Sequence, residues 1–125
     1  MDDYENVKKL LDKYGDDIYR FAFVLTCSDK GASALLSEAV SVLSGEDKFT
    51  KNLTENRNLL FSALVEYAPK HAGIFDSKQI KDKYGEKDET FYDLLKAPIA
   101  EKAFTHLTLY EDLTEKEARE IIKRK

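Results

Sequence analysis

Seven apolar residues near the N-terminus, Tyr4, Val7, Leu11, Tyr14, Ile18, Phe21 and Leu25, follow one another at alternating steps of three and four. Such a set shares one side of an α-helix and no single face of a strand, so the segment reads as a long amphipathic helix. The stripe needs other elements to cover it. Gly15 lies inside the pattern and marks a possible kink, since Gly within a helix costs about 1 kcal/mol relative to Ala.

The remaining chain supplies further stripes of the same period. Thr26 to Lys30 reads as a connection, with Ser28 or Asp29 as an N-cap. Ala32, Leu35, Leu36, Ala39, Val40 and Leu43 form one side of a second helix, which Ser44-Gly45-Glu46-Asp47 ends in the way glycine ends many helices. A third helix is expected from about Thr54 to Ala68, with Leu59, Leu60, Ala63, Leu64 and Tyr67 inward and Pro69 as its stop. From Lys70 to Asp88 the periodicity weakens and glycines and lysines suggest a linker, although Ile74, Phe75, Ile80 and Tyr84 are available as anchors. Phe91, Leu94 and Leu95 predict a short helix, and Pro98 breaks it or begins the next. Ile99, Ala103, Phe104, Leu107 and Tyr110 give another stripe. Thr114 and Glu117 form a capping box for a last helix, Glu115 to Lys125, whose apolar side is Ala118, Ile121 and Ile122. Strand alternation is not evident. The expected fold class is all-α: a three-helix lobe over 1–69, a linker over 70–89 and a short helical lobe over 90–125.

Composition excludes several kinds of function. Hydrophobic residues make up 42% of the chain, enough for a core, and 35% are charged, which suits long polar faces. The formal net charge is −4, whereas strong non-specific DNA binding relies on clustered Lys and Arg. Only Lys123-Arg124-Lys125 looks like such a cluster, and cations also suit a helix C-terminus. The single cysteine, Cys27, permits no internal disulfide and reads as a small buried hydrophobe in a reducing compartment. No apolar run approaches the roughly 20 residues needed to span a bilayer. The acidic N-terminus lacks the form of a signal peptide, so a cytoplasmic location is expected.

Nothing in the sequence points to catalysis. Asp16 and Asp17 are adjacent, so on a helix they point about 100° apart and cannot face one another. His71 and His106 are far apart and have no ligand-spaced companions, so no metal is expected. Phosphate-binding, dinucleotide, nucleophile-elbow and zinc-protease motifs are all missing. The reading is therefore of a non-enzyme without a cofactor. The aromatics Tyr4, Tyr14, Tyr19, Phe21 and Phe23, at helical spacing, are expected in the core.

Two segments together resemble the sigma-70 family of bacterial transcription initiation factors, in particular its small extracytoplasmic-function group. Leu11 to Thr26, followed by Ala32 to Val40, is similar to the opening of the family's core-binding and promoter-melting domain. Ala97 to Ile122, and above all Tyr110 to Ile122, is similar to the first part of its C-terminal helix-turn-helix domain. The two segments cover about half of the chain, in the family's order. In the family the second helix of a helix-turn-helix reads the major groove; here that helix would follow Lys125, and the reading is of a frame without it.

The resemblance implies that the second helix meets the largest subunit of RNA polymerase. Where the family carries an acidic residue and a glutamine for this contact the chain has Ala34 and Ser37, with Glu38 beside them; Leu35, Leu36, Ser37 and Glu38 are the candidate polymerase-binding residues. The candidate DNA-binding residues are Lys48, Lys51, Arg57, Arg119, Lys123, Arg124 and Lys125. Lys48, Lys51 and Arg57 lie in the region that melts promoter DNA in the family, here set among Glu46, Asp47 and Glu55 without a tryptophan for stacking. The expected function is binding to RNA polymerase core or to a sigma or anti-sigma partner, with weak or absent promoter recognition. The alternative is an all-helical protein–protein regulator with no DNA function.

Overall fold

A computed structural model describes residues 2–72 and 89–123. Among them are six helices and no strand: α1 (Asp2–Thr26), α2 (Asp29–Gly45), α3 (Leu53–His71), α4 (Glu89–Lys96), α5 (Ile99–Leu109) and α6 (Glu115–Lys123). The all-α class holds. Most of the expected linker, 73–88, lies outside the described residues, as do Arg124 and Lys125.

α1, α2 and α3 pack on one another in every pairing, α5 lies against both α1 and α3, α6 lies against α3 and α5, and α4 touches α1 and α5. The buried apolar residues of α4, α5 and α6, namely Leu94, Leu95, Ala103, Leu107, Ala118 and Ile121, belong to the same core as Leu10, Phe21, Leu35 and Phe61. This explains a departure from the expected stripe. α1 is uninterrupted through Gly15, but towards its end it is buried all round, from Phe21 to Cys27 without a break. One side of that end meets α2 and α3, and the other is covered by the C-terminal helices, so the single stripe widens to the full circumference.

The helix ends carry more design than the apolar pattern reveals. α1 stops because Cys27 turns to φ 60°, and Ser28 in extended conformation accepts a bond from the Gly31 N–H at 2.8 Å, which caps α2. At the end of α2 the left-handed residue is Asp47 (φ 56°) and not Gly45, which is the last helical residue. Asp47 N–H donates to Ser44 O at 3.1 Å and Lys48 N–H to Leu43 O at 3.0 Å, a Schellman arrangement that Asp tolerates because its short side chain suits that conformation. The loop into α3 is clamped by Asn56, fully buried, which accepts from Thr50 N–H and donates to Thr50 O, both at 2.8 Å. Asn52 caps α3 by accepting from Glu55 N–H at 3.0 Å.

Pro69 does not stop α3, which continues to His71. A proline this close to the end removes one intrahelical bond only, and the next two side chains are held from outside. Glu38 of α2 accepts from Lys70 Nζ at 3.1 Å and meets His71 Nε2 at 2.7 Å. Tyr110, expected on the α5 stripe, is half exposed, because α5 ends at Leu109 and Tyr110 is already its C-cap. The capping box of α6 forms as expected: Thr114 Oγ1 accepts from Glu117 N–H at 3.1 Å, and Glu117 Oε1 accepts from Thr114 N–H at 3.2 Å. Ser62 of α3 then ties the helix down by donating to Ile121 O at 2.8 Å.

The two glycines of α2 predict opposite outcomes. A Cβ at Gly31 would lie 2.6 Å from His71 O and 2.7 Å from Ser28 Oγ, whereas one at Gly45 meets nothing within 4 Å. Thermal unfolding of Gly31→Ala should show a loss of about 2 kcal/mol, the cost of forcing an extra methyl into a closed site. Gly45→Ala should gain up to about 1 kcal/mol through helix propensity.

Candidate functional site

The four residues expected to contact polymerase do not share a face, because consecutive helical residues spread over most of a turn. Leu35 is fully buried in the core and so is corrected from a docking residue to a packing residue. Leu36 is half-buried against the same core. Ser37 is exposed, and Glu38 is half-buried and held by Lys70 and His71. These two bonds, to His71 first and Lys70 second, hold the Glu38 carboxyl below its ordinary range. Toward solvent one face of α2 presents Lys30, Ser33, Ala34, Ser37 and Ser41, all exposed and, Lys30 apart, all small.

The basic candidates are dispersed. Lys48 and Lys51 are exposed on the α2–α3 loop. Lys48 shares a half-open groove of about 420 Å³ with Glu46, Glu66 and the apolar Val42, Leu59 and Ala63. Arg57 is folded over two rings, 5.3 Å from the centroid of Tyr14 and 5.7 Å from that of Phe61, and donates to Asn58 Oδ1. Arg119 lies 5.1 Å above Phe104 and pairs with Glu115 at 3.7 Å. Lys123 is exposed at the end of α6. Both guanidinium groups are thus laid on aromatic faces.

The strongest electrostatic perturbation occurs where the sequence pattern showed none. His106 is 1% exposed, its ring centroid 5.2 Å from that of Phe21 and 5.2 Å from that of Tyr110, and neither ring nitrogen has a hydrogen-bond partner. Burial, with Arg20 adding, pushes its imidazole down to about 4. Five residues on, Glu111 is pushed up to about 7 by burial and by Asp17, against the pull of Arg57 and Arg20. The junction of α1, α3 and the end of α5 thus gathers Asp17, Arg20, Arg57, His106 and Glu111. No acceptor or donor reaches His106, so it has no geometry for proton transfer. Among the described residues no group of three His, Cys, Asp or Glu could hold a metal ion, and no helix is long and apolar enough to cross a membrane.

A second buried polar pair lies at the other end of α5. Lys102, 5% exposed, directs Nζ at Leu95 O (3.4 Å) and at the Sγ of Cys27 (3.6 Å), itself 5% exposed. The ammonium sits at the C-terminal ends of both α1 and α4, where the partial negative charge of helix carbonyls favours a cation. Both Lys102 and His106 fall at helical spacing with Ile99, Ala103 and Leu107, which was the available signal; their polarity hid it.

Comparison with protein-family models, with curated proteins and with solved structures yields no match to this chain.

The two perturbed groups of the junction oppose each other in pH dependence. The unfolded chain protonates His106 near its ordinary 6.5 and the folded chain only near 4, so its contribution is complete above 6.5 and is lost as pH falls through 4, about 3 kcal/mol in all. Folded Glu111 keeps its proton up to about 7 and the unfolded one releases it near 4.5, so its contribution is complete below 4.5 and is lost as pH rises through 7. Measured against the unmodified chain, the Tm advantage of Glu111→Gln should grow as pH rises from 4.5 to 7. That of His106→Leu should grow as pH falls from 6.5 to 4. Parallel pH profiles for all three proteins would refute this assignment.

Proposed function

We propose that the chain is a sigma-like helical protein that works by binding protein, either RNA polymerase core or a sigma or anti-sigma partner, with weak or absent promoter recognition. The observation that carries the reading is the solvent face of α2. Ser33, Ala34, Ser37 and Ser41 lie within one side of the helix, opposite the buried Leu35, Ala39 and Leu43. Small side chains let a partner helix approach closely, and Lys30 on the same face supplies a charge. Two of these positions, Ala34 and Ser37, are those that the sequence resemblance aligns with the polymerase contacts of sigma factors.

The arrangement of the cations favours protein over DNA. Arg57 and Arg119 lie on aromatic rings, Lys48 sits beside acidic residues, and the net charge is −4. α6, which by resemblance opens a DNA-binding unit, buries Ala118 and Ile121 and is bonded to α3 through Ser62. Its apolar side is spent on the fold.

A pull-down with core polymerase at physiological salt tests the proposal. Binding that falls about tenfold with Ser37→Arg, at unchanged Tm, is the expected result and corresponds to a loss of about 1.4 kcal/mol. No retention of core polymerase ends that arm, and the same assay with sigma and anti-sigma proteins then decides the other. Duplex promoter binding that is tight and falls steeply with salt would overturn the protein-only reading.

A further inference from the structure

We propose that Cys27 and Lys102 form an oxidation-dependent covalent bridge, a nitrogen–sulfur link that staples the end of α1 to α5. Three observations carry this. The thiol and the amine are already in contact, Nζ to Sγ 3.6 Å, although they are 75 positions apart in the chain. Both side chains are 5% exposed, so the amine is sequestered from water with the sulfur. Among the described residues no carboxylate pairs with Lys102; its contacts are Leu95 O at 3.4 Å and the sulfur. A buried ammonium normally takes an anionic partner. Here the nearest group able to react with an amine, once oxidised, is Cys27.

The chemistry balances with a peroxide as oxidant. Peroxide transfers one oxygen to the Cys27 thiol, giving sulfenic acid and one molecule of water or alcohol. The amine of Lys102 then attacks the sulfur. The S–N bond forms, the S–O bond breaks, and hydroxide departs as water with a proton from the amine; a second amine proton is released to solvent from the ammonium. Sulfenic acids are captured by neighbouring nitrogen in this way. Relative to the reduced chain the product lacks two hydrogens, one from the thiol and one from the neutral amine. The flexible four-carbon stem of lysine supplies the approach. Peroxide is small and uncharged, and the cysteine lies at a break between helices (φ 60°) and not within one.

Hydrogen peroxide treatment of the full chain, followed by intact mass and non-reducing peptide mapping, tests this. The expected product is monomeric, lighter by two hydrogens, with the Cys27 and Lys102 peptides joined, and it reverts on addition of dithiothreitol. Its Tm should exceed that of the reduced chain, because a link across so long a loop restricts the unfolded state. Lys102→Met and Lys102→Arg should instead accumulate sulfenic acid that a dimedone probe captures, followed by sulfinic acid. Arginine keeps the charge, so this variant decides the matter if the methionine variant folds poorly. The proposal falls if the unmodified chain gives dimedone adduct or sulfinic acid as readily as these variants. It also falls if the chain dimerises through a disulfide, or if Cys27 does not react at all.

Discussion

The last two turns of α1 are buried on every side, and the rest of the architecture answers to that burial. A helix that exposes one apolar stripe can be covered by two partners, and α2 and α3 would suffice. The run from Phe21 to Cys27 leaves no polar side to face water. The second flank must therefore be covered too, and α4 and α5 are the helices that reach it, through Leu95 beside Cys27 and His106 beside Phe21. Burying the large apolar members of this run, Phe21, Phe23, Val24 and Leu25, stabilises by roughly 1.5 to 3 kcal/mol each. That is ample reason for the C-terminal helices to share one core with the N-terminal three.

The cost of that shared core is borne by polar groups. α5 brings Lys102 and His106 inside along with Ala103 and Leu107. Lysine is accommodated by the carbonyl ends of two helices, and histidine by staying neutral between aromatic rings. Both are compromises and not optimised pairs, and both lie where α5 meets α1. The interface between the two ends of the chain is thus the place where pH and oxidation state can act on the fold. The small-residue face of α2 lies away from it, so a partner on α2 and a change at the α1–α5 contact need not compete for the same side chains.

Legibility followed polarity. Apolar stripes announced α1, α2, α3 and α5 within a few residues, and the Thr114–Glu117 capping box was readable to the atom, because its two bonds lie within one turn. Positions 102 and 106 are hidden from an apolar pattern, since a Lys and a His break it even where their spacing completes it. Asn56 was invisible for another reason: its two bonds go to a backbone six residues away, and no side-chain pattern encodes that. Leu35 and Leu36 are docking candidates through the sigma resemblance, although both also belong to the apolar side of α2. Only the direction of the helix faces distinguishes the buried one from its half-buried neighbour.

The sequence by itself determined that the chain is all-α, where most helices begin, and that its net charge is −4. These are local or summed properties, set within a turn of helix or by counting charges. Tertiary packing decided the rest: that the C-terminal helices lie on α1 and α3, that Arg57 and Arg119 rest on rings, and that a thiol, an amine and an unpaired imidazole end up inside. Those outcomes depend on which surfaces meet across tens of residues, and a one-dimensional pattern carries no record of that.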